Sequence, residues 1–523
     1  MGIYLNPDNI DFQEALNSKI YIDKTGLMKY TNSVIRTEDK YICVSRPRRF
    51  GKSMAANMLV AYYSKGCDSR EMFSSYKISE DESYEKHLNK YNVIHINMVN
   101  FIDRRKPVSE SLLNLNNKII RELKKENEDV DCSDWNDLIS VLGEVFIEKR
   151  VPFIFVIDEW DCVFRIIKDK ESEQTEYLEY LRNLLKNQKY VALAYMTGIL
   201  PIKKYGEHSA LNMFTEISMT NAAPIQEFTG FTEEEVYDLC QVYKTDFNEI
   251  KLWYDGYNVD GISIYNPKSV VECISRGTFR NYWTSTETYE ALKVYIQMNF
   301  DGLREKVVDM IGEEKVNVNI EKFQNDMSTF NSADDVITLL VHLGYLTFND
   351  GKVWIPNSEV RQEFINSIED GGWETVMNAI KASDELIEAT INKNEEKVAE
   401  MIEKIHDDNS SIIEYNNETS LSCIISLAYY SAKKDYITHR ELPTGKGFAD
   451  ISFIPKKNSD KPAMVIELKY NHSANTAIKQ IKRKQYSDKI SEYSGEIILV
   501  GINYDMKTKK HTCIIDTIIK NSL

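Results

Sequence analysis

The first half of the chain alternates short apolar runs with longer segments in which apolar residues recur every three or four positions. Short apolar runs are typical of buried strands, and the longer period is typical of amphipathic helices. Strands that alternate with helices predict a parallel sheet with helices on both faces, an α/β fold. The predicted strands are 41–44, 91–97, 151–157 and 191–197, and the predicted helices are 54–63, 109–125 and 175–187.

Beyond the fourth strand the pattern becomes mainly helical. Thr232 is predicted to cap a helix, because three glutamates follow it in the first turn. Residues 290–400 are predicted to be mostly helical, because their apolar residues recur every three or four positions. Two apolar runs at 344–348 and 353–355 flank an Asp-Gly dipeptide, which predicts a hairpin. A helix followed by a hairpin is typical of a winged helix, but equally of a connector.

The C-terminal part returns to an α/β pattern, with predicted strands at 436–440, 448–455, 463–470 and 496–502. Helices are predicted at 418–432 and 474–489. The chain is therefore expected to be an α/β multidomain protein. Its expected segments are a parallel-sheet domain (1–225), a helical lid (226–290), a helix-rich middle (291–405) and a second α/β core (406–523).

Composition narrows the class of protein. A chain of 523 residues exceeds one core and predicts about two to four domains. The net charge of −17 means that any nucleic-acid contact must be local. The 8 cysteines form no C-x-x-C pair, which argues against a zinc ribbon and fits a reducing compartment. Because a signal pattern and an apolar run of roughly 20 residues are both lacking, we expect a cytoplasmic protein without a membrane partner.

Residues 41–63 combine a predicted strand, a polar loop that ends in Gly51, Lys52 and Ser53, and a helix from Met54. In a phosphate-binding loop the glycine lets backbone N–H groups approach phosphates, the lysine contacts the β- and γ-phosphates, and the serine ligates Mg²⁺. Arg46 replaces the usual first glycine and makes the loop more basic. The expected nucleotide contacts are Arg46, Arg48, Arg49, Phe50, Gly51, Lys52, Ser53 and Met54.

A second motif supports nucleotide binding. The apolar run 151–157 ends in Asp158 and Glu159, as in a Walker B strand. Asp158 would hold Mg²⁺ through water, and Glu159 would polarise the attacking water. Thr197, at the end of the next strand, is a candidate γ-phosphate sensor, or simply a strand-end threonine. A core strand with a solvated polar end is the alternative, but the order of the two motifs favours ATP with Mg²⁺.

The C-terminal part carries a separate set of candidate residues. Glu467 and Lys469 lie two positions apart on a predicted strand and therefore share one face. Asp450 lies on the strand expected to pair with it, so that two carboxylates and the Leu468 carbonyl would bind a divalent cation, Mg²⁺ or Mn²⁺. Lys469 would orient water or offset negative charge, and Gln485 would point at the sheet. The alternative for a lone Glu–Lys pair is a surface salt bridge.

Two motifs carry a family resemblance. Residues 22–27 (Ile-Asp-Lys-Thr-Gly-Leu) and 45–53 (Ser-Arg-Pro-Arg-Arg-Phe-Gly-Lys-Ser) resemble the bacterial AAA-ATPase-like family that carries a C-terminal PD-(D/E)XK nuclease domain. In that family the loop lacks the first glycine.

The C-terminal candidates extend this resemblance to nearly the whole chain. Asp450, residues 467–469 and Gln485 with Tyr486 are similar to the nuclease core, and Glu418 matches an accessory acid. The family often has Gly-Arg before the motif aspartate, but this chain has Gly-Phe-Ala, which removes a phosphate contact and no metal ligand.

These features predict a P-loop ATPase module coupled to a metal-dependent nuclease that acts on nucleic acid, with DNA as the preferred substrate. The alternative is a nucleotide-dependent switch whose nuclease-like domain docks nucleic acid or a protein without cleaving. The intact Asp–Glu–Lys pattern favours the enzyme, whereas the low overall basicity favours the switch. The sequence leaves open whether the chain forms a homo-oligomer.

Overall fold

The structure is a computed structural model that describes residues 2–168, 170–202, 210–283, 289–298, 300, 302–323, 330–370, 374–409, 424–440, 451–456, 461–483 and 495–520. The chain divides into two compact units. The first unit comprises Met1–Thr288 and Asn317–Val360, and the second comprises Tyr289–Val316 and Arg361–Leu523. This division differs from the four predicted segments, because the lid and the helix–hairpin segment pack with the N-terminal sheet.

The first unit is built on a parallel sheet with the strand order β2-β3-β4-β1-β5. Its central strands are buried on both faces, which explains their continuous apolar sequence. The four predicted strands are all found, and a short fifth one is added. The strands are β1 (Tyr41–Ser45), β2 (Asn92–Asn97), β3 (Phe153–Asp158), β4 (Val191–Gly198) and β5 (Thr215–Ile217).

Helices connect β1 to β2, β2 to β3 and β3 to β4, as parallel pairing requires. The α-helices up to the lid are Ile10–Leu16, Leu27–Val34, Lys52–Tyr63, Arg70–Phe73, Tyr84–His87, Val108–Glu126, Leu138–Lys149, Cys162–Ile166 and Glu171–Leu185. Short 3₁₀ helices are Lys77–Glu80, Met98–Asn100 and Gln226–Phe228.

The lid is a small α/β layer with a core of its own. Its strands β6 (Phe231–Thr232), β7 (Tyr257–Val259) and β8 (Ile262–Tyr265) form an antiparallel sheet in the order β6-β8-β7. The helices are Glu233–Tyr243, Phe247–Tyr254 and Pro267–Arg276, and they pack around Tyr254 and Tyr265. Thr232 caps the first of them in a capping box with Glu235, as the sequence predicts.

The segment after the lid contains β9 (Val316–Asn317), the helix Ala333–Leu343 and the predicted hairpin. The hairpin strands β10 (Thr347–Asn349) and β11 (Lys352–Trp354) pair antiparallel. The chain passes from the first unit to the second after Val360, within the helix Ser358–Asp370.

The second unit carries a mixed sheet in the order β12-β13-β14-β15-β16, in which only the β14–β15 pair is parallel. The strands are β12 (Tyr436–Arg440), β13 (Ile451–Pro455), β14 (Ala463–Tyr470), β15 (Gly495–Asp505) and β16 (Lys510–Lys520). The sequence analysis did not predict β16, because its apolar residues come in adjacent runs of three and two rather than in alternation.

Helices cover this sheet. The helix Ala474–Arg483 follows β14 and contributes Ile478 and Ile481 to a core with Val465 and Leu499. The helix Glu395–Asn409 bonds to β16 through Glu395, which accepts the Ile515 N–H at 2.7 Å. Further helices of this unit include Tyr289–Ile296, Leu303–Ile311, Glu374–Ile391 and the 3₁₀ helix Tyr430–Lys434. Across the ranges described, no helix combines the length and the apolar character that a membrane span requires.

Candidate functional site

The loop between β1 and the helix Lys52–Tyr63 has the backbone of an anion-binding nest. Gly51 adopts φ +85° and Arg49 adopts φ +69°, so two residues with positive φ lie two positions apart in the turn. Such turns direct successive N–H groups toward one point. A Cβ on Gly51 would meet no atom within 4 Å, so its positive φ, rather than crowding, explains the glycine.

Lys52 lies at the centre of this loop. Its side chain is buried, and Nζ donates to the carbonyls of Arg46 at 3.0 Å and Pro47 at 2.9 Å. Burial lowers the pKa of Lys52, and the nearby carboxylates of Glu159, Asp161 and Asp158 partly oppose this effect. The ammonium group is thus held in place beneath the loop, where it can serve as a point charge for phosphate oxygens.

Asp158 joins three elements at the carboxyl edge of the sheet. Its Oδ2 accepts the Ser53 hydroxyl at 2.6 Å, and its Oδ1 accepts the Thr197 hydroxyl and, at 3.0 Å, the Glu159 N–H. A hydroxyl and a carboxylate that converge in this way form an oxygen donor set suited to Mg²⁺. The residues present therefore fit a Mg²⁺–nucleotide.

Glu159 follows with φ +54°, an uncommon conformation for a non-glycine residue. Its carboxylate forms an ion pair with Arg165 on the helix Cys162–Ile166. The same guanidinium lies 3.3 Å from Asp161, measured from Nε to Oδ2. The sequence analysis did not select Arg165, although its i, i+4 spacing from Asp161 was a usable signal.

These groups surround a cavity of about 440 Å³. Four cationic side chains and one carboxylate are among its lining residues, so the cavity favours an anion. Met54 and Val99 are each 44% exposed and add apolar surface. The lining residues are Arg48, Arg49, Gly51, Lys52, Ser53, Met54, Val99, Glu159 and Arg165.

Arg46 and Phe50, two of the expected nucleotide contacts, point elsewhere. The Arg46 guanidinium is buried and donates to Thr229 Oγ1 at 3.0 Å and to the Ser45 carbonyl at 3.0 Å. Burial lowers the pKa of Arg46 to about 10. The Phe50 ring packs edge-on against Tyr257, with 5.1 Å between centroids. In this structure both side chains fasten the loop to its surroundings.

Glu359 and Arg49 both bond to the end of the lid, and no sequence signal pointed to Glu359. Its Oε1 accepts the N–H groups of Tyr282 at 2.6 Å and Trp283 at 2.9 Å, and the Ser269 hydroxyl at 3.0 Å. Arg49 donates to the Tyr282 carbonyl at 3.0 Å. Burial raises the pKa of Glu359 to about 7, although these hydrogen bonds and the Arg49 charge oppose the rise.

The helix–hairpin segment supports the loop from another side. Gly344 ends the helix Ala333–Leu343 with φ +87°, and a Cβ there would lie 2.6 Å from Pro47 Cβ. The Tyr257 hydroxyl donates to the Gly344 carbonyl at 2.8 Å. In this structure the segment packs within the first unit.

In the second unit, Glu467 and Lys469 lie on the face of β14 that packs against the helix Ala474–Arg483, because they alternate in phase with Ala463 and Val465. Lys469 Nζ donates to Glu467 Oε1 at 2.7 Å, and the two side chains are 2% and 0% exposed. This pair is therefore buried and is not a surface salt bridge.

Other members of the predicted nuclease site cannot be placed beside it. Asp450, Gln485, Tyr486 and Glu418 lie outside the described residues. Leu468 is described and buried on β14. Within the described ranges, no group of three or more His, Cys, Asp or Glu side chains could hold a metal ion.

The parallel sheet order, the nest and the Ser53–Asp158 contact define a P-loop nucleotide-binding fold. Comparison with known families agrees: residues 10–206 match the family described as Predicted AAA-ATPase, and residues 416–513 match the PD-(D/E)XK nuclease superfamily. The two matches fall on the two segments whose motifs carried the family resemblance, the first on the parallel-sheet domain and the second on the C-terminal α/β core.

Individual relatives are distant. An uncharacterized protein encoded in the vnfD 5′ region of Azotobacter chroococcum mcd 1 is 25% identical over 278 residues, which are 51% of this chain and 51% of that protein. The chain thus spans about half the length of this curated relative.

Two solved structures are also similar. The Walker-type ATPase PABY2304 of Pyrococcus abyssi has a TM-score of 0.35 at 13% identity, and the match covers 65% of this chain and 94% of that one. The Aeropyrum pernix ORC2 protein, in ADPNP–ADP complexes, has a TM-score of 0.31 at 10% identity, with coverage of 69% and 98%.

Proposed function

We propose that this protein binds and hydrolyses ATP in the first unit, and that its nucleotide state controls a metal-dependent nuclease in the second. The observation that carries the proposal is the convergence of Lys52, Ser53 and Asp158 beside a cationic cavity. The cavity lining carries four cationic side chains and one carboxylate, and a triphosphate complements this net positive charge better than a neutral or apolar ligand.

Each residue of the first unit would have a separate role. Lys52, Arg48 and Arg49 bind the phosphates, and Glu159 polarises the attacking water. Ser53 and Asp158 would hold Mg²⁺, which neutralises phosphate charge when bound. Thr197 orients Asp158 through its hydroxyl and lies within the same hydrogen-bonded group.

In the second unit the proposed reaction is phosphodiester cleavage, with DNA as the preferred substrate. Glu467 and the Leu468 carbonyl, together with Asp450, would hold Mg²⁺ or Mn²⁺, whose charge stabilises the pentacoordinate phosphate. Lys469 would orient the attacking water, and Gln485 would assist in positioning it. The buried Glu467–Lys469 pair supports this proposal, because two charges are kept out of water where a surface pair would be solvated.

Calorimetry tests the ATPase part. Lys52→Ala should abolish tight ATP binding, whereas Lys29→Ala, which changes a half-exposed lysine paired with Asp81, should bind as the wild type does. Glu159→Gln should not weaken binding and should slow hydrolysis. Equal ATP affinity in the Lys52→Ala and Lys29→Ala proteins would remove the basis of the proposal.

A cleavage assay with plasmid and oligonucleotide substrates, Mg²⁺ or Mn²⁺, and ATP present or absent tests the nuclease part. We expect cleavage by wild type and none by Lys469→Ala. Binding of nucleic acid without cleavage under every condition would favour the alternative, a nucleotide-dependent switch with a non-cleaving nuclease fold. The same samples, studied by light scattering, would show whether ATP drives homo-oligomer formation.

A further inference from the structure

Arg165 bridges two acidic residues at the edge of the proposed ATP cavity. Its guanidinium forms an ion pair with the Glu159 carboxylate, and its Nε lies 3.3 Å from Asp161 Oδ2. The Arg165 side chain is 15% exposed and lines the cavity together with Lys52. The Arg165 guanidinium therefore contacts Glu159, the proposed general base, and also lines the proposed phosphate site.

The Asp161 end of this bridge is fixed. Asp161 is fully buried, and its Oδ2 accepts the N–H groups of Ile199 at 3.1 Å and Leu200 at 3.0 Å, directly after β4. A Cβ on Gly198 would lie 2.9 Å from Asp161 Oδ1, so the backbone also packs closely here. Arg165 is thus attracted to Asp161 by charge, and its distal nitrogen contacts Glu159.

The Glu159 side chain is more exposed than that of Asp161. The Glu159 side chain is 22% exposed, lines the cavity and comes from a residue with positive φ. A carboxylate that is paired with a guanidinium has fewer lone pairs with which to orient a water molecule. The contact therefore describes a resting arrangement of the proposed base.

We propose that Arg165 is a nucleotide-responsive positioning residue, which holds Glu159 in this resting pair and exchanges it for the terminal phosphate when a nucleoside triphosphate fills the cavity. This inference rests on the proposed ATPase function. The terminal phosphate and Glu159 are competing anions for one guanidinium whose Nε stays with Asp161. A diphosphate lacks the terminal group, so it leaves the Arg165–Glu159 pair intact.

The consequence is that Arg165 distinguishes triphosphate from diphosphate. Losing a charge-assisted contact to one phosphate should lower the triphosphate-to-diphosphate affinity ratio by about tenfold or more. Removing the Glu159 carboxylate should raise the triphosphate-to-diphosphate affinity ratio. The Arg165 guanidinium can then bind the terminal phosphate without first leaving Glu159.

Calorimetry with Mg²⁺ and either a non-hydrolysable ATP analogue or ADP tests this inference on the full chain. Arg165→Ala should lose the preference for the triphosphate, Arg165→Lys should keep part of it, and Glu159→Gln should bind the triphosphate several-fold more tightly with unchanged ADP affinity. The control is Arg182→Ala, which removes an exposed arginine paired with Glu179.

The outcomes separate the two proposals. If wild type binds neither nucleotide, the ATPase proposal fails and this inference with it. If wild type binds both but Arg165→Ala shows the same affinity ratio as Arg182→Ala, only the role of Arg165 is refuted. Should Arg165→Ala fail to fold in a thermal melt, the Glu159→Gln result decides, because unchanged triphosphate affinity there contradicts competition for Arg165.

Discussion

Ser53 donates its hydroxyl hydrogen bond to Asp158, with 2.6 Å between Oγ and Oδ2, although the two residues are 105 positions apart in the chain. Ser53 belongs to the first turn of a helix, and Asp158 is the last residue of β3. The contact therefore joins the helix that follows β1 to the acidic end of β3, although β4 lies between these two strands in the sheet.

The contact predicts how Mg²⁺ dependence responds to mutation. Ser53→Ala should lose most of the gain in ATP affinity that Mg²⁺ provides, because the hydroxyl oxygen is removed. Ser53→Thr retains that oxygen and serves as the matched control. Titration of ATP with and without Mg²⁺ measures both effects, and an undiminished Mg²⁺ effect in Ser53→Ala would contradict the assignment.

Glu359 predicts a dependence of stability on pH. Its pKa rises from 4.5 to about 7 on folding, so the unfolded chain releases this proton first as the pH rises. Its contribution to stability is therefore complete below about pH 4.5 and is lost as the pH rises to about 7. Glu359→Gln does not titrate, so its free energy of unfolding relative to wild type should increase by up to about 3 kcal/mol between pH 4.5 and pH 8.

Urea unfolding at several pH values measures this difference. Glu110→Gln is the control, because Glu110 is about half exposed and pairs with Lys106 on the surface. Parallel pH profiles for wild type and Glu359→Gln would show that the folded protein keeps this carboxyl ionised.

The Glu467–Lys469 pair predicts a response to metal. Lys469→Ala leaves the buried Glu467 carboxylate without its ammonium partner and should destabilise the protein by on the order of 3 kcal/mol. A divalent cation at Glu467 would replace the missing charge, so Mn²⁺ should raise the melting temperature of this variant more than that of wild type. Lys482→Ala, at an exposed pair with Asp516, is the control. A variant that melts as wild type does, with or without Mn²⁺, would argue against a metal site here.

Gly501 predicts a packing defect. A Cβ at this position on β15 would lie 2.6 Å from the Ala474 carbonyl oxygen and 3.1 Å from Ala477 Cβ, so the helix Ala474–Arg483 would have to move. Gly501→Ala should cost about 1–3 kcal/mol of stability. Gly143→Ala is the contrast, since open space surrounds Gly143 in the helix Leu138–Lys149 and alanine there should stabilise by about 0.5–1 kcal/mol. Denaturant unfolding of both variants tests the pair, and equal midpoints would contradict it.

The sequence predicted well those features that depend on local pattern and on parallel topology. Apolar runs identified β1 to β4, and the carboxyl ends of parallel strands necessarily share one edge. The structure accordingly brings Ser53, Asp158 and Thr197 together.

Features that depend on partners distant in the chain were not accessible in this way. Arg46 lies beside other arginines in the sequence, which suggested that its guanidinium contacts phosphate. In the structure this guanidinium is buried and bonds to Thr229, which is 183 residues away. In the sequence, Glu359 follows a serine at a helix start and resembles an exposed acid in a first helical turn. In the structure it accepts the N–H groups of Tyr282 and Trp283, which lie 77 and 76 residues earlier. The burial of Glu467 likewise follows from helix packing rather than from its neighbours in sequence.

The helix–hairpin packing at Pro47 limits how this protein can be divided or recombined. Because the first unit consists of Met1–Thr288 and Asn317–Val360, a fragment that ends at Thr288 lacks Gly344 beside Pro47 and Glu359 beside Tyr282. A single crossover between two genes can transfer this unit whole only if it falls beyond Val360, and it then also carries the segment 289–316, which belongs to the second unit. Recombination directly after the lid would instead divide the first unit.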